Sequence, residues 1–137
     1  MAMYARLYSL GGMLPVPLIA VPKLPGRLVG ICLGPIIVVA KDYANDWPTV
    51  VHELEHCKQF WRGGLIVHFV RYYVSRQYRL DSELAAYRAE LDACEPNERD
   101  SRLDDSARAL ATGYQLKLDT AACRQLLSAA PSARAAV

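Results

Sequence analysis

Two histidines four residues apart, His52 and His56, form with Glu53 the pattern H-E-x-x-H. On a helix, residues at this spacing share one face, so both imidazoles can bind one tetrahedral zinc ion. Glu53 points to the side of that face, where its carboxylate can reach a zinc-bound water rather than the metal. Zinc brings the pKa of such a water to about 7, and a neighbouring carboxylate can then act as general base. Since two of the chain's three histidines fall within the pattern, it predicts a zinc-dependent hydrolase rather than a chance match.

A catalytic zinc of this kind needs a third protein ligand and leaves one position for water. His68 follows the Gly63-Gly64 turn, but its neighbours are apolar, which is typical of a core histidine. Asp81 stands at an expected helix start, where capping explains it. Glu83 stands in the first turn expected for the same helix, where a carboxylate also complements the helix dipole. Spacing alone leaves both Glu83 and His68 open as the third ligand, with Glu83 favoured.

Two segments of the chain resemble a known family of zinc peptidases. They are His52-Glu53-Leu54-Glu55-His56-Cys57-Lys58-Gln59 and Glu83-Leu84-Ala85-Ala86-Tyr87. This pair of segments is similar to the gluzincin group, and above all to small bacterial and phage-encoded peptidases of the zincin type, over residues 28–95. The resemblance implies that His52, His56 and Glu83 bind Zn²⁺, that Glu53 is the general base, and that the substrate is a peptide, a protein or peptidoglycan.

Further expectations concern the surroundings of the site. The segment 34–39 resembles the edge strand of zincins, along which a substrate backbone can bind. Tyr78, Arg79 and Tyr87 are candidates for stabilising the oxyanion of the transition state. Gln59, one turn beyond His56, is a candidate for orienting a ligand. The aromatic side chains of this region are expected in the core rather than in a groove: Phe60, Trp61, Phe69, Tyr72, Tyr73 and Tyr78.

The helices and strands expected around these residues indicate an α+β fold. We expect a helix-dominated minimal zincin-like domain with an N-terminal β-strand or hairpin. The β-branched run 35–40 predicts a strand, paired with 28–33. Four prolines between residues 15 and 25 favour extended or looped chain before it. Asp46 is expected to cap the motif helix, with Trp47 and Pro48 in its first turn. The expected helices span about 46–62, 65–77, 81–93, 101–111 and 120–130.

Length and composition predict one domain over residues 1–137, with a strand and loop region at 1–45 and a helical region at 46–130. The net charge of +2, from 16 basic and 14 acidic residues, does not point to nucleic acid or a membrane surface. Four cysteines without a C-x-x-C pair are expected to be reduced and to pack as small apolar residues. The apolar first forty residues offer a surface on which a partner chain can pack.

Targeting signals do not fix a location for the chain. Gly11, Gly12, Pro15 and Pro17 interrupt the apolar N-terminal run, so it does not match a secretory signal. The apolar segment 28–40 is too short to cross a bilayer as a helix, so no transmembrane segment is predicted. The sequence favours a soluble protein, either cytoplasmic or part of a phage or secreted assembly.

Two functions follow from these observations. The favoured one is a zinc metallopeptidase that hydrolyses a peptide or amide bond. The alternative is a non-catalytic, zinc-bearing structural or interaction protein, for example a component of a phage particle or secreted assembly. Glu53 favours the enzyme, because a purely structural zinc site has no need of a general base.

Overall fold

The computed structural model describes residues 4–8 and 15–129, which form one sheet and five α-helices. The strands are β1 (Tyr4–Tyr8), β2 (Val16–Val21), β3 (Gly30–Cys32) and β4 (Ile37–Ala40), and a 3₁₀ turn follows at Lys41–Tyr43. The helices are α1 (Trp47–Gly63), α2 (Leu65–Val74), α3 (Arg76–Asp92), α4 (Arg99–Gly113) and α5 (Thr120–Ser128). This architecture confirms the expected helix-dominated α+β fold.

The four strands lie in the order β1-β2-β4-β3, with β2 parallel to β4 and each outer strand antiparallel to its neighbour. The predicted pairing of the segments 28–33 and 35–40 is confirmed as the β3–β4 ladder. The expectation that 34–39 forms the edge strand is wrong. β4 is an inner strand whose Ile37 and Val39 are fully buried, and β3 occupies the edge.

The four prolines between residues 15 and 25 predict extended or looped chain, whereas β2 is a paired inner strand of the sheet. Pro17 lies opposite Leu7 of β1, while the ladder between β2 and β4 begins only at Leu18. A proline is tolerated at that point because no hydrogen bond to β4 is required of its nitrogen. Val16, Leu18 and Ala20 then alternate into the core.

The motif helix α1 begins as predicted. The Asp46 side chain accepts a hydrogen bond from the Thr49 amide at 3.2 Å, and Trp47 and Pro48 occupy the first turn. The helix ends at Gly63, and Gly64 adopts a positive φ of 77° that a side chain would strain. The complete H-E-x-x-H pattern therefore lies inside one regular helix.

The third helix begins earlier than predicted. Ser75 has an extended backbone that ends α2, and its hydroxyl accepts a hydrogen bond from the Tyr78 amide at 3.1 Å. This cap starts α3 at Arg76, so Asp81 does not cap the helix. Glu83 consequently lies in the interior of α3 and not in its first turn, which removes the helix-dipole explanation for that residue.

The buried apolar side chains form two clusters on either side of the α1–α3 pair. One cluster joins the sheet to α1 and comprises Val16, Leu18, Ala20, Ile37, Val39, Ala44, Val50, Leu54 and Cys57. The other joins α3, α4 and α5 and comprises Leu84, Tyr87, Leu91, Ala107, Leu110, Leu116, Cys123 and Leu127. Among the described residues, no helix is both long and apolar enough to cross a bilayer.

Candidate metal centre

Helices α1 and α3 pack together and bring His52, His56 and Glu83 to one point. The Nε2 atoms of His52 and His56 lie 3.6 and 3.5 Å from Oε2 of Glu83. These three atoms all lie within 4.8 Å of one another. Ligands of a tetrahedral zinc with bonds of 2.0–2.1 Å are roughly 3.3 Å apart, so the spacing is close to that of a metal site. The three residues form a group that could hold a metal ion.

The hydrogen bonding of Glu83 supports the same conclusion. Tyr72 donates a hydrogen bond to Oε1 of Glu83 at 2.5 Å. Oε2 is buried and has no hydrogen-bond partner, because the imidazole nitrogens at 3.5 and 3.6 Å are too distant. A buried carboxylate oxygen without a partner is costly. A bound cation would satisfy it, so the residues present fit a metal.

A second carboxylate lies on the other side of His52. Oε2 of Glu90, two turns beyond Glu83 on α3, lies 2.9 Å from Nδ1 of His52. The other oxygen of Glu90 accepts a hydrogen bond from Arg102 on α4 at 3.1 Å. Arg102 also donates to both carboxylate oxygens of Asp46, the cap of α1, at 3.0 and 2.9 Å. This chain of contacts holds the His52 ring with Nε2 toward Glu83.

His56 is oriented by a different set of groups. Its Nδ1 lies 3.2 Å from Oε1 of Gln59 and 3.5 Å from the Ser82 hydroxyl. Gln59 also donates to the backbone oxygen of Ser82 at 3.0 Å and accepts from the Ser82 hydroxyl at 2.5 Å. Gln59 is therefore in contact with a candidate ligand.

Burial and nearby charges shift the pKa values of all four residues of the site. Burial alone would lower the pKa of His52, but the carboxylates of Glu83 and Glu90 outweigh it and raise that pKa to about 10. For His56, burial is likewise outweighed, chiefly by Glu83, and the pKa is raised. Burial would raise the pKa of Glu83, but the two imidazoles lower it well below its usual range. The triad thus pairs an ionised carboxylate with imidazoles that bind protons tightly.

Glu53 lies beside the triad, against the edge strand. It is buried, and burial raises the pKa of its carboxyl group even though His52 and His56 pull that pKa down. A Cβ atom placed on Gly30 of β3 would lie 2.6 Å from Oε1 of Glu53. Only glycine leaves room for the Glu53 carboxylate at this point of the strand.

A cleft of about 300 Å³ opens over the site. One wall is formed by β3 and the residues that flank it, the other by α2, and His52, Glu53, His56 and Glu83 lie between them. Phe60 lines this cleft but is buried, as expected of a core residue. Phe69, Tyr72 and Tyr73 line the cleft without being fully buried, so the expectation that these three belong to the core is wrong. Trp61 is 45% exposed and is not a core residue either.

The remaining sequence candidates lie around the site rather than at the triad. His68 lines the cleft but is not in the ligand group, and its Nδ1 lies 2.9 Å from the Tyr78 hydroxyl. Arg79 donates to the backbone oxygens of Tyr72 and Tyr114. Tyr87 packs edge-on against the His52 ring, with ring centroids 4.4 Å apart.

Sequence reasoning missed Glu90, Arg102 and Tyr72 as residues of the site. The spacing from Glu83 to Glu90 on one helix is a signal that could have identified Glu90, since residues seven apart share a face. Arg102 and Tyr72 carry no such signal, because their contacts depend on how α4 and α2 pack. All four cysteines are free, and the sulfur atoms of Cys32 and Cys57 lie 3.1 Å apart.

Comparison of this chain with protein-family models, with curated proteins and with solved structures gives no match.

Proposed function

We propose that this chain is a zinc-dependent metallopeptidase of the gluzincin type, in which His52, His56 and Glu83 hold the metal and Glu53 is the general base. The observation that carries the proposal is the unpartnered Oε2 of Glu83 facing two imidazole nitrogens at the floor of a cleft. Two histidines and one glutamate are the ligands of a catalytic zinc site, which keeps one position open. A structural zinc is normally closed by four protein ligands, so the open cleft favours the enzyme over a non-catalytic zinc protein.

When bound, zinc supplies a Lewis acid that polarises a carbonyl group and makes a water molecule more acidic. Glu53 accepts the proton of the attacking water at its carboxylate and returns it to the nitrogen of the departing amine. Its raised pKa supports this role, because burial makes the carboxylate a stronger base than an exposed one. Glu90 and Gln59 keep the two imidazoles in place while the proton moves.

The edge strand β3 offers a place for the peptide backbone. The Leu33 amide donates to the Ile36 carbonyl, and the Ala40 amide donates to the Val29 carbonyl. The backbone groups of Val29 and Leu33 therefore face β4. Because hydrogen bonding alternates along an antiparallel strand, the backbone groups of Gly30 and Cys32 point to the free edge. A substrate added as a further strand would cross the cleft beside Glu53.

The test compares wild type with Glu53→Gln for zinc content and for cleavage of fluorogenic peptides and of peptidoglycan. We expect Glu53→Gln to retain zinc and to lose cleavage by about 10²- to 10⁴-fold. Glu55→Gln is the matched control, because Glu55 belongs to the same motif but pairs with Lys58 at 2.9 Å. Glu55→Gln should retain both zinc and cleavage.

Two results would contradict the proposal in different ways. Wild type that holds zinc but cleaves nothing across the panel supports the non-catalytic zinc protein. Protein prepared without chelators that holds no zinc, and takes up none, contradicts both functions.

A further inference from the structure

Helix α2 presents an apolar ridge to solvent, formed by Ile66, Val70, Tyr73 and Val74. These side chains follow the spacing i, i+4, i+7, i+8 and therefore lie on one face of the helix. They are 76%, 53%, 78% and 77% exposed. The opposite face carries His68 and Tyr72, which contact Tyr78 and Glu83 of α3. A ridge that projects this far is not covered by any part of the chain that the structure describes.

The segment of the chain that carries α2 has charge of one sign. Residues 56–80 contain five basic residues and no acidic one: Lys58, Arg62, Arg71, Arg76 and Arg79. Arg62, Arg71 and Arg76 are exposed, and none of the carboxylates in the described residues forms an ion pair with them. The nearly balanced charge of the whole chain, which gave no sign of a membrane partner, conceals this local excess.

The exposed apolar side chains and the exposed arginines together indicate the kind of surface that binds the ridge. In a symmetric dimer the same patch would face itself and bring the arginines of both copies together without carboxylates between them. An anionic lipid surface instead accepts apolar side chains between its acyl chains and pairs arginines with its headgroups. Tyr73 on the ridge and the exposed Trp61, four residues before the start of α2, are the residue types enriched at that boundary.

We propose that α2 lies in the interface of an anionic membrane, with the α2 ridge inserted and Arg62, Arg71 and Arg76 at the level of the headgroups. Tyr73 belongs to the ridge and also lines the cleft over the metal centre. Leu28 and Leu33, each half exposed, line the same cleft from the β3 side. The mouth of the cleft therefore lies at the edge of the membrane-bound surface. This inference depends on neither zinc nor hydrolysis.

The first experiment measures binding of the full chain to vesicles of equimolar phosphatidylglycerol and phosphatidylcholine by flotation. Vesicles of phosphatidylcholine alone serve as the comparison. We expect binding to the anionic vesicles that weakens as the salt concentration rises, because exposed charge pairs are screened. Trp47→Phe leaves Trp61 as the single tryptophan, and its emission should shift to shorter wavelength on binding.

The second experiment compares variants in the ridge with matched controls elsewhere. Ile66→Ser with Val74→Ser should weaken binding at least tenfold, while Leu7→Ser, which is 72% exposed on β1, should not. The triple change of Arg62, Arg71 and Arg76 to Gln should weaken binding on the order of a hundredfold. The same change at the exposed Lys23, Arg108 and Lys117 removes equal charge from other surfaces and should have little effect.

Three outcomes would overturn the proposal. The first is wild type that does not float with anionic vesicles. The second is binding that the ridge and control variants reduce equally, since net charge alone would then explain it. The third is absence of vesicle binding together with a dimer in light scattering that Ile66→Ser dissociates. In that case a second copy covers the ridge.

Discussion

Glu90 contacts one residue of the candidate metal centre from the side away from Glu83. Its carboxylate joins Nδ1 of His52 to Arg102, and Arg102 in turn holds Asp46 at the start of α1. A carboxylate behind a ligating imidazole fixes the ring and increases its basicity. Glu90 therefore connects the cap of the motif helix to the candidate ligand on it.

We predict that Glu90→Ala lowers zinc affinity by about 10- to 100-fold while the protein remains folded. Arg102 keeps Asp46 as a partner, which limits the damage to the fold. Glu90→Gln should lose less, because its amide oxygen can still accept from Nδ1 of His52. Competition with a chromophoric zinc chelator measures the affinity, and circular dichroism reports the fold. Equal affinities for Glu90→Ala and the control Glu55→Ala would contradict this role.

The raised pKa of His52, about 10, and the raised pKa of His56 predict that zinc must displace protons. At pH 7 the His52 imidazole is protonated in the metal-free protein, so zinc binding there should release at least one proton. Because protons compete with the metal for this imidazole, apparent zinc affinity should fall as the pH is lowered and rise as it approaches 10. Calorimetry in two buffers of different ionisation enthalpy counts the protons. Binding without proton release at pH 7 would contradict these pKa shifts.

At the scale of elements, the edge strand β3 can approach the motif helix α1 closely because Gly30 has no side chain. Gly30 of β3 has an ordinary backbone conformation, but a Cβ there would lie 2.6 Å from Oε1 of Glu53 and 3.0 Å from its Cγ and Cδ. More of the Glu53 side chain than its tip would have to move. The close approach of β3 to α1 thus determines where the general base of the proposed reaction stands.

Gly30→Ala should therefore reduce kcat/KM by about 10²-fold, the effect expected of a displacement near 1 Å. Zinc affinity should hardly change, because Gly30 does not contact the triad. Gly113→Ala is the control, since a Cβ on that glycine meets no atom within 4 Å. Kinetics with one fluorogenic peptide and zinc titration of both variants make the comparison. Loss of zinc binding in Gly30→Ala would show that the strand supports the metal rather than Glu53.

The sequence predicted those parts of the fold and site that depend on local spacing. His52, Glu53 and His56 follow from one helix, and Asp46 with Pro48 fixes where that helix begins. Spacing left both Glu83 and His68 open as the third ligand, because no local pattern relates either of them to α1, and the resemblance to a family favoured Glu83. Its place inside α3 was missed because Ser75 caps this helix earlier than Asp81 would have done.

Sequence patterns could not predict contacts between segments that are distant along the chain. Arg102 lies far along the chain from Asp46, and no periodicity links α4 to the start of α1. The exposure of Val70 and Tyr73 was equally hidden, because an apolar helical face predicts burial unless the packing of the neighbours is known. The inner position of β2 also depended on pairing, which its prolines obscured.

At the scale of the whole molecule, the candidate metal centre lies between the two apolar clusters and joins them. The ligands on α1 belong to the sheet side, and Glu83 on α3 belongs to the side of α4 and α5. A metal that binds only the folded chain stabilises it by about 2.7 kcal/mol at a free concentration one hundred times its Kd. The bound ion should therefore raise the stability of the entire chain.

We predict that a hundredfold excess of zinc over its Kd raises Tm by roughly 8 °C, and that EDTA reverses the shift. Glu83→Gln should lose most of this increase. His68→Ala should retain it, because His68 lines the cleft without belonging to the triad. Differential scanning calorimetry of the three proteins tests this, and a larger loss in His68→Ala than in Glu83→Gln would assign the third ligand to His68.

The turn at Gly63 and Gly64 divides the donors, with both histidines on the N-terminal side and Glu83 on the C-terminal side. A single cut there would place the ligands on separate polypeptides, and zinc would then act as a bridge between two fragments. We expect the cut protein to stay together on gel filtration when zinc is present. It should separate at lower denaturant concentration once EDTA is added. The ion would then hold the two fragments together in place of the severed peptide bond.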